Sequence, residues 1–586
     1  MPLLVLESSE IIDKDVRLFT NEYQFDVLEI SSKPGQSVIA FYSNEWTVRH
    51  ITDYNELKSF CDNFCSVVIM KELTNEFENS VYLIYSDSAF GIITEDDNQD
   101  IKMIFVERAI AATGLYYGST KGINFASDSL ESIRFSLGCI KKFTVTQDFI
   151  KKSLIINPSM TNFTPYPDIH RIMSGHYVVF KKKKWRDQSR WYFPVVLRES
   201  ITEDDIKHAL ISSLGSMLDS DKIIGLSFSG GIDSTSILLL LSKYFYQGSQ
   251  NKNINTITWH YPYQRFGDEK QFAEKAIEKI GIQKSFFLED TDVYNLGRML
   301  DYYNANKHHY DYPSLAVLMA ERIHKVKELC LNEGIELVLS GHGGDFIFDN
   351  SFGAFVSGKK NSIKKIIRDT YRLAETRQSN FWYELSHNVL KPFYTNRFDE
   401  YIQKEFSNSL PDFYIINDRK EHLEEIRDNM RMTLKNVSDV GIRLMLLSSL
   451  LYDDLSHVKL LPKHVHPFLN PDILHKVLSY NVQQDYPYYN CNIIKKLLKS
   501  VMDDQETNEL ISRNGKSRTD WISIDAINKH KHNIIDTVKK GWLVENNLLK
   551  FGVWEELVKK VIEGNKSGVV EVLKPLSLEI WLSDKV

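Results

Sequence analysis

Asp233 lies in a run of small residues, Ser229-Gly230-Gly231-Ile232-Asp233-Ser234, that follows the apolar stretch Ile223-Ile224-Gly225-Leu226-Ser227-Phe228 and precedes a helical pattern from Thr235 to Phe245. Adjacent glycines let a backbone approach a ligand without interference from Cβ. Ser229 and Ser234 offer hydroxyls, and a helix beginning near Ser234 aims its first N–H groups at whatever sits on the loop. These residues predict an anion site. A bare carboxylate there would repel phosphate, and Mg²⁺ bridging Asp233 to phosphate oxygens removes the conflict. The alternative is a tight strand-to-helix turn in which Asp233 or Ser234 only caps the helix. Two rival nucleotide signatures do not fit. Gly515-Lys516-Ser517 has the end of G-x-x-x-x-G-K-[ST] but Leu510 where the first glycine belongs, and G-x-G-x-x-G is not formed at the Ser229 loop.

A second segment has the same form. Ile335-Glu336-Leu337-Val338-Leu339 reads as a buried strand and runs into Ser340-Gly341-His342-Gly343-Gly344-Asp345, again a glycine turn with one carboxylate. In an open parallel sheet the carboxyl ends of the strands gather around the ligand crevice, so Asp345 is expected to meet Asp233 across a shared Mg²⁺.

The elements that must hold these turns follow from the rest of the chain. Its 586 residues, 43% hydrophobic and 25% charged, exceed what one core organises and predict two or more globular domains. A net charge of -7 provides no global basic field for nucleic acid or anionic lipid, so any such role requires a local patch. The longest aliphatic run, Ile237 to Leu241, is too short to span a bilayer, and the amino terminus, Met1-Pro2-Leu3-Leu4-Val5-Leu6-Glu7, lacks the basic lead-in of a secretory signal. Five scattered cysteines (Cys61, Cys65, Cys139, Cys330, Cys491) suit a reducing cytoplasm and make a zinc site improbable. Short apolar runs, Ser66 to Met70, Val81 to Tyr85, Met103 to Val106 and Tyr177 to Phe180, predict a strand-rich unit over residues 1–200, with Lys181 to Lys184 at a hairpin tip. Helical periodicity from Asp204 to Met217 and alternating strands and helices thereafter predict an α/β parallel-sheet unit over 201–586. Its part beyond about residue 360 reads as mostly helical and includes the charged stretch Gly358 to Arg377.

The Ser229 to Ser234 loop resembles the pyrophosphate loop of the ATP pyrophosphatases, and the Ser340 to Asp345 turn resembles the second nucleotide and metal motif of asparagine synthetase and its relatives. Thr164 to Tyr177 with Trp191-Tyr192 is similar to the segment joining the two domains of asparagine synthetases, while Gly114 to Gly118 with Phe125 to Asp128 looks like their glutaminase domain. Val465-His466-Pro467-Phe468-Leu469-Asn470 resembles a late landmark of the synthetase domain, and Asp454 stands at the spacing of an acidic residue there. The resemblance implies an α+β, Ntn-type glutaminase-like domain followed by an ATP-pyrophosphatase domain with a helical end. It also implies ATP and Mg²⁺ as cofactors.

Three departures bear on the reaction. Asparagine synthetases use an N-terminal cysteine as glutaminase nucleophile; here residue 2 is Pro2 and the first cysteine is Cys61, so the first domain is expected to be inactive towards glutamine. His342 stands where asparagine synthetase carries glutamate and β-lactam synthetase tyrosine, and Lys463 replaces the landmark's usual glutamate. Together with Arg513-Asn514-Gly515-Lys516, the Gly-His-Gly-Gly-Asp form looks most like the lasso-peptide cyclases. These join a precursor peptide's N-terminal amine to an Asp or Glu side chain. The resemblance makes Lys516 the cation for departing pyrophosphate, with Arg513 beside it in the catalytic set. His342 becomes the candidate base for the amine, whose α-amino pKa near 7.7–8 demands only a modest one. Leu226, Ser227, Trp259, Ser340 and Gly341 are the expected nucleotide wall, partly through backbone groups. Asp311-Tyr312-Pro313-Ser314 either lines the acceptor pocket or starts a helix. A small-molecule amide or β-lactam-type synthetase, an ammonia-dependent amidotransferase and a silent binding protein remain the competing readings. The expected partners are a precursor peptide and a leader-binding protein and leader peptidase of the same pathway, with no nucleic acid.

Overall fold

In the computed structural model of the chain, the residues described are 3–6, 26–28, 39–42, 47–51 (with 53 and 56), 81–85, 89–95, 101–110, 114–120, 123–138, 141–155, 161–182, 184–192, 197, 199–218, 222–246, 253–261, 270–290, 292–348, 363–364, 367–368, 370–371, 374, 380–390, 411–434, 463–483, 496–502, 508–511 and 520–585.

Antiparallel pairing organises the first part. Among the described residues the strands β1 (Leu3–Leu6), β2 (Asp26–Leu28), β3 (Ile39–Tyr42), β4 (Thr47–Ile51), β5 (Val81–Tyr85), β6 (Phe90–Glu95), β7 (Ile101–Val106), β8 (Tyr116–Thr120), β9 (Ile123–Ser127), β10 (Ile169–Arg171), β11 (His176–Lys181), β12 (Lys184–Trp185) and β13 (Ser189–Arg190) build two sheets. Their orders are β10-β8-β9-β1-β3-β2 and β12-β11-β7-β6-β5-β4, with β13 on β11. Alternation along a strand sends neighbours to opposite faces. Tyr117 and Ala126 accordingly join Ile93, Phe105 and Phe180 of the other sheet in one core, while Tyr116 and Phe125 pack on the helices Leu130–Leu137 and Gln147–Ile155. Lys181 pairs with Lys184 across a tight turn in which Lys182 has φ 53, so the lysine run is a hairpin tip as expected. The strand expected over Ser66 to Met70 lies outside the described residues.

The helix Glu203–Gly215 opens the next part with a capping box: Thr202 Oγ1 accepts from the Asp205 amide and the Asp205 carboxylate accepts from the Thr202 amide. It leads into the strands β14 (Ile224–Ser227), β15 (Ile254–His260), β16 (Lys284–Glu289), β17 (Leu337–Ser340) and β18 (Lys463–Val465), all parallel and ordered β16-β15-β14-β17-β18. Both faces are covered, which is why these strands are apolar runs and not alternating ones. Ile224, Leu226, Leu337 and Leu339 enter one core, and Ile257 and Val338 enter another on the opposite side. The chain builds outward from β14 through β15 to β16, then returns past β14 to add β17. That reversal places a topological switch point between β14 and β17.

Beyond residue 360 the helices Arg419–Leu434, Pro471–Gln483, Asp520–Lys539, Phe551–Ile562 and Val569–Leu582 agree with the helical reading. β18 does not, because a three-residue Lys-His-Val strand has too little apolar pattern to be legible. Among the described residues no helix is long and apolar enough to cross a membrane.

The last helices are welded to the first part. Trp554, Val572, Leu576 and Trp581 share a core with Tyr116, Phe125 and Phe149, and Trp581 Nε1 donates to the Tyr310 carbonyl at 3.1 Å. Lys585, its side chain fully buried, pairs with Glu131 at 3.0 Å and Asp584 at 3.3 Å. Glu579 accepts N–H groups from Trp542 and Leu543, both at 2.7 Å, in space left by Gly541; burial outweighs those bonds and pushes its carboxyl up to about 7. Asp311 Oδ1 accepts the Leu130 and Glu131 amides at 2.9 and 3.4 Å, and Ser314 Oγ caps the turn Leu315–Met319. Of the two readings of Asp311 to Ser314, the helix start is the one observed.

Candidate active site

The two glycine turns leave the sheet side by side. β14 and β17 end in register, with Ser227 opposite Ser340, so both turns emerge at the switch point. After Ser227 the Phe228 amide still donates to the Ile257 carbonyl at 2.8 Å, and the chain then turns at Ser229 and Gly230. Gly230 has φ 73, and a Cβ there would stand 2.5 Å from the Ala273 nitrogen and 2.8 Å from the Phe272 carbonyl carbon. Only glycine lets the loop sit on the backbone of the helix Lys270–Ile280.

Gly231 caps the helix Ile232–Tyr244 without a side-chain hydrogen bond, so no cap side chain covers its first-turn amides. This helix starts three residues before the helical pattern read from Thr235, and Asp233 and Ser234 therefore stand inside its first turn. The hydroxyls close the loop at long distances. Ser229 Oγ accepts the Gly231 N–H at 3.2 Å and lies 3.4 Å from Ser234 Oγ, which donates to the Gly231 carbonyl at 3.3 Å. Bonds of that length are weak and exchange readily for ligand oxygens.

The second turn locks onto the first. A Cβ on Gly341 would come within 2.8 Å of Asp233 Cβ and 2.9 Å of the Ser234 nitrogen, and one on Gly344 would overlap the Asp233 carboxylate. Gly343, at φ 92, meets Leu469 of the late landmark in the same way, at 2.5 Å. The backbone of Asp345 is thereby set one residue from the point where the Asp233 carboxylate lies, at the start of the helix Gly344–Phe348.

Sequence reasoning singled out His342 and placed His466 in the late landmark, but it did not bring His464 and His466 to this turn. Ser340 Oγ lies 2.7 Å from His466 Nδ1 in a buried contact and accepts the His342 amide at 3.3 Å. The His342 and His466 rings are 4.9 Å apart, and those of His464 and His466 5.4 Å. β18 produces this cluster by laying His464 to His466 beside β17, and the His-x-His spacing across a strand end is its one sequence signal.

Two residues of the expected nucleotide wall are engaged within the protein itself. Leu226 is buried in the core beneath the sheet, so only its backbone can border a ligand. Trp259 is half-buried at the end of β15, and the Arg322 guanidinium lies over its ring at 4.5 Å while bonding Tyr261 Oη at 2.8 Å and pairing with Asp290 at 3.4 Å. That face of the indole is occupied by Arg322. Ser227 is exposed at the strand end, as a wall residue must be.

Arg513 and Lys516 lie outside the described residues, as does Asp454, and Lys463 is described only as backbone of β18. The elements flanking residues 512–519 are fixed beside the sheet. Glu509 pairs with Lys279 at 2.6 Å and Lys275 at 3.5 Å, on the helix that seats Gly230. On the other flank Ser523 Oγ is 3.2 Å from Tyr294 Oη, and Asp292 binds His530 at 2.7 Å and Lys529 at 2.5 Å. Burial works against ionised Asp292, but the bonds from Lys529, Asn295 and His530 prevail and hold it well below the usual carboxylate range. Another gathering of metal-type donors, Asp148, His422 and Glu425, is already bridged by Lys152, which pairs with both carboxylates.

Comparison with known proteins agrees with this geometry. The family model for asparagine synthase matches residues 205–583. Among solved structures, the chain is similar to the U34-tRNA thiolase NcsA from Methanococcus maripaludis with its [4Fe-4S] cluster, at 17% identity over 42% of this chain and 76% of that one, with a TM-score of 0.20. It is also similar to the glutamine phosphoribosylpyrophosphate amidotransferase from B. subtilis complexed with ADP and GMP, at 8% identity over 50% of this chain and 83% of that one, with a TM-score of 0.17. At such scores neither structure bears on the argument. No match was found among curated proteins.

Proposed function

The chain belongs to the asparagine synthase family, whose members spend ATP to make amide bonds, and from that premise we propose that it closes a macrolactam in a precursor peptide through an acyl-adenylate. The observation that carries the reading is the interlock of Gly341 and Gly344 with Asp233 and Ser234 at the switch point of the parallel sheet.

The triphosphate of ATP lies on Ser229 to Ser234, with the first-turn amides of the helix Ile232–Tyr244 and the two serine hydroxyls as donors. Asp233, pressed against Gly344, and Asp345 next to it form a hard, oxygen-only donor set of the kind Mg²⁺ takes, and these two residues would hold it. Bound there, the ion would neutralise phosphate charge. An oxygen of the peptide's Asp or Glu carboxylate attacks the α-phosphorus and pyrophosphate leaves; Lys516 and Arg513 supply cationic charge for that departure. The N-terminal amine then attacks the acyl carbon, AMP leaves, and the proton lost from nitrogen passes to His342, which the Ser340 hydroxyl holds by its amide. The strand-rich first part serves as scaffold through the core it shares with the last helices, and a leader-binding protein and a leader peptidase act on the same precursor in the cytosol.

Incubation with ATP, Mg²⁺ and a peptide bearing a free N-terminal amine and an internal Asp or Glu tests this by intact mass and nucleotide analysis. Loss of one water with AMP and pyrophosphate formed is expected, and Asp233→Asn removes both. Pyrophosphate release without dehydration would move the substrate to a small molecule or ammonia, and ADP as product would overturn the mechanism.

A further inference from the structure

One row of side chains crosses three strands at the carboxyl edge of the parallel sheet. Ser227 lies opposite Ser340 between β14 and β17. Between β17 and β18, Val338 pairs with His464 and Leu339 with Val465, and the next step places His466 beside Ser340. The row runs inward: Ser227 is exposed, whereas Ser340 and His466 are 8% and 7% exposed. The 2.7 Å contact between Ser340 Oγ and His466 Nδ1 is therefore made out of water, where a hydrogen bond is strong.

A hydroxyl has one proton and two acceptor sites. Ser340 Oγ spends one acceptor site on the His342 amide at 3.3 Å and engages His466 with another part of the same oxygen, so turning the Ser340 side chain would break both contacts. His466 is itself anchored. Its carbonyl accepts the Leu469 amide at 2.9 Å, and the Pro467 carbonyl accepts Ser213 Oγ, from the helix Glu203–Gly215, at 2.9 Å. The turn from His466 to Leu469 consequently grips the second glycine turn at two points, Ser340 through His466 and Gly343 through Leu469. His342 lies between those points, with its ring 4.9 Å from that of His466.

We propose that His466 is a positioning residue for amide formation: through its bond to Ser340 it holds the turn that carries His342 where the proton of the amine is received. This rests on the reading of His342 as the base. The effect belongs to the second half of the reaction, because His342 takes no part in the departure of pyrophosphate.

His466→Phe and His466→Asn separate the bond from the packing. Phenylalanine keeps a flat ring beside His342 and removes Nδ1; asparagine removes the ring and returns a polar group near the place of Nδ1. With ATP, Mg²⁺ and the free-amine peptide, His466→Phe is expected to slow peptide dehydration by about ten- to a hundredfold, the cost of misplacing a reacting group by up to roughly 1 Å. Exchange of labelled pyrophosphate into ATP, measured with the N-acetylated peptide, falls far less, and the KM for ATP stays near that of the wild type. His466→Asn recovers most of the dehydration rate. If the ring served only as packing, the two variants would rank in the reverse order, and if it served only the fold, exchange and dehydration would fall together; either result overturns the proposal.

A second readout needs no peptide. In protein carrying isotope-labelled histidine, the His342 amide, identified by its loss in His342→Gln, should exchange with solvent deuterium faster in His466→Phe than in the wild type or His466→Asn. A wild-type protein that forms no macrolactam would remove the reading of His342 as the base, while faster exchange in His466→Phe would still establish the hold on its turn. Unchanged exchange in His466→Phe overturns that hold even where the macrolactam forms.

Discussion

Replacing Gly341 by alanine tests whether the two glycine turns are in contact. Gly341 has no positive φ, so alanine suffers no backbone strain, and the whole effect is steric. The new Cβ would meet Asp233 Cβ at 2.8 Å, the Ser234 nitrogen at 2.9 Å and the Asp233 carbonyl carbon at 3.2 Å. Against an optimum near ~3.5 Å for carbon pairs, the closest contact is short by roughly 0.7 Å. None of the three atoms is the end of a flexible side chain, so the turns must move apart. Overpacking of this kind costs about 1–3 kcal/mol. A displacement approaching 1 Å between phosphate loop and metal turn costs about 10² in rate. Gly341→Ala should therefore lower the urea or thermal midpoint and reduce kcat/KM for ATP, followed by pyrophosphate release, by about ten- to a hundredfold. Gly552→Ala is the matched control. A Cβ there meets nothing within 4 Å, so it should add up to about 0.5–1 kcal/mol and leave the rate unchanged. A Gly341→Ala protein with wild-type stability and rate would refute the interlock and with it the basis for pairing Asp233 with Asp345.

At Gly344 the added Cβ overlaps a carboxylate, the mobile end of Asp233. Gly344→Ala should cost under about 1 kcal/mol by chemical denaturation but raise the Mg²⁺ concentration for half-maximal rate about tenfold, and an unchanged Mg²⁺ titration would count against Asp233 as a ligand. Glu579 gives a pH signature. Its carboxyl titrates near 7 in the fold against about 4.5 unfolded, so its contribution is full below the unfolded value and is lost as pH rises through 7. The loss is on the order of 3 kcal/mol at most. Unfolding curves from pH 5 to 8 should show it in the wild type and not in Glu579→Gln; parallel curves would reject the assignment. Removing the cation from the buried Lys585–Glu131 pair by Lys585→Met should cost about 3 kcal/mol in urea unfolding, and a loss below about 1 would show the carboxyl end to be loosely held.

Local pattern made the two glycine turns legible. Each is bounded by an apolar strand and followed by a helical element, and the chemistry of serine, glycine and aspartate within it can be read without knowing its neighbours. The same holds for the hairpin tip at Lys181 to Lys184. The helix after Ser229 to Ser234 was legible except for its start: Gly231 takes the cap and draws Asp233 into the first turn, a choice the apolar pattern does not encode. Trp259 reads as a wall residue because it ends a strand of the parallel sheet; that Arg322, distant in sequence, lies over one face of its ring is not written in the local pattern.

The residue types that can bind phosphate and metal, the order of strand, turn and helix around them, and the parallel class of the sheet were determined by the sequence alone, since each depends on contacts within a few residues. Which turn touches which was decided by the fold. Only the reversal from β16 to β17 brings Gly341 and Gly344 against Asp233, and only the addition of the three-residue β18 brings His466 to Ser340. Such contacts join residues far apart in the chain, and their energies depend on the path of every crossover between them, which no local pattern records.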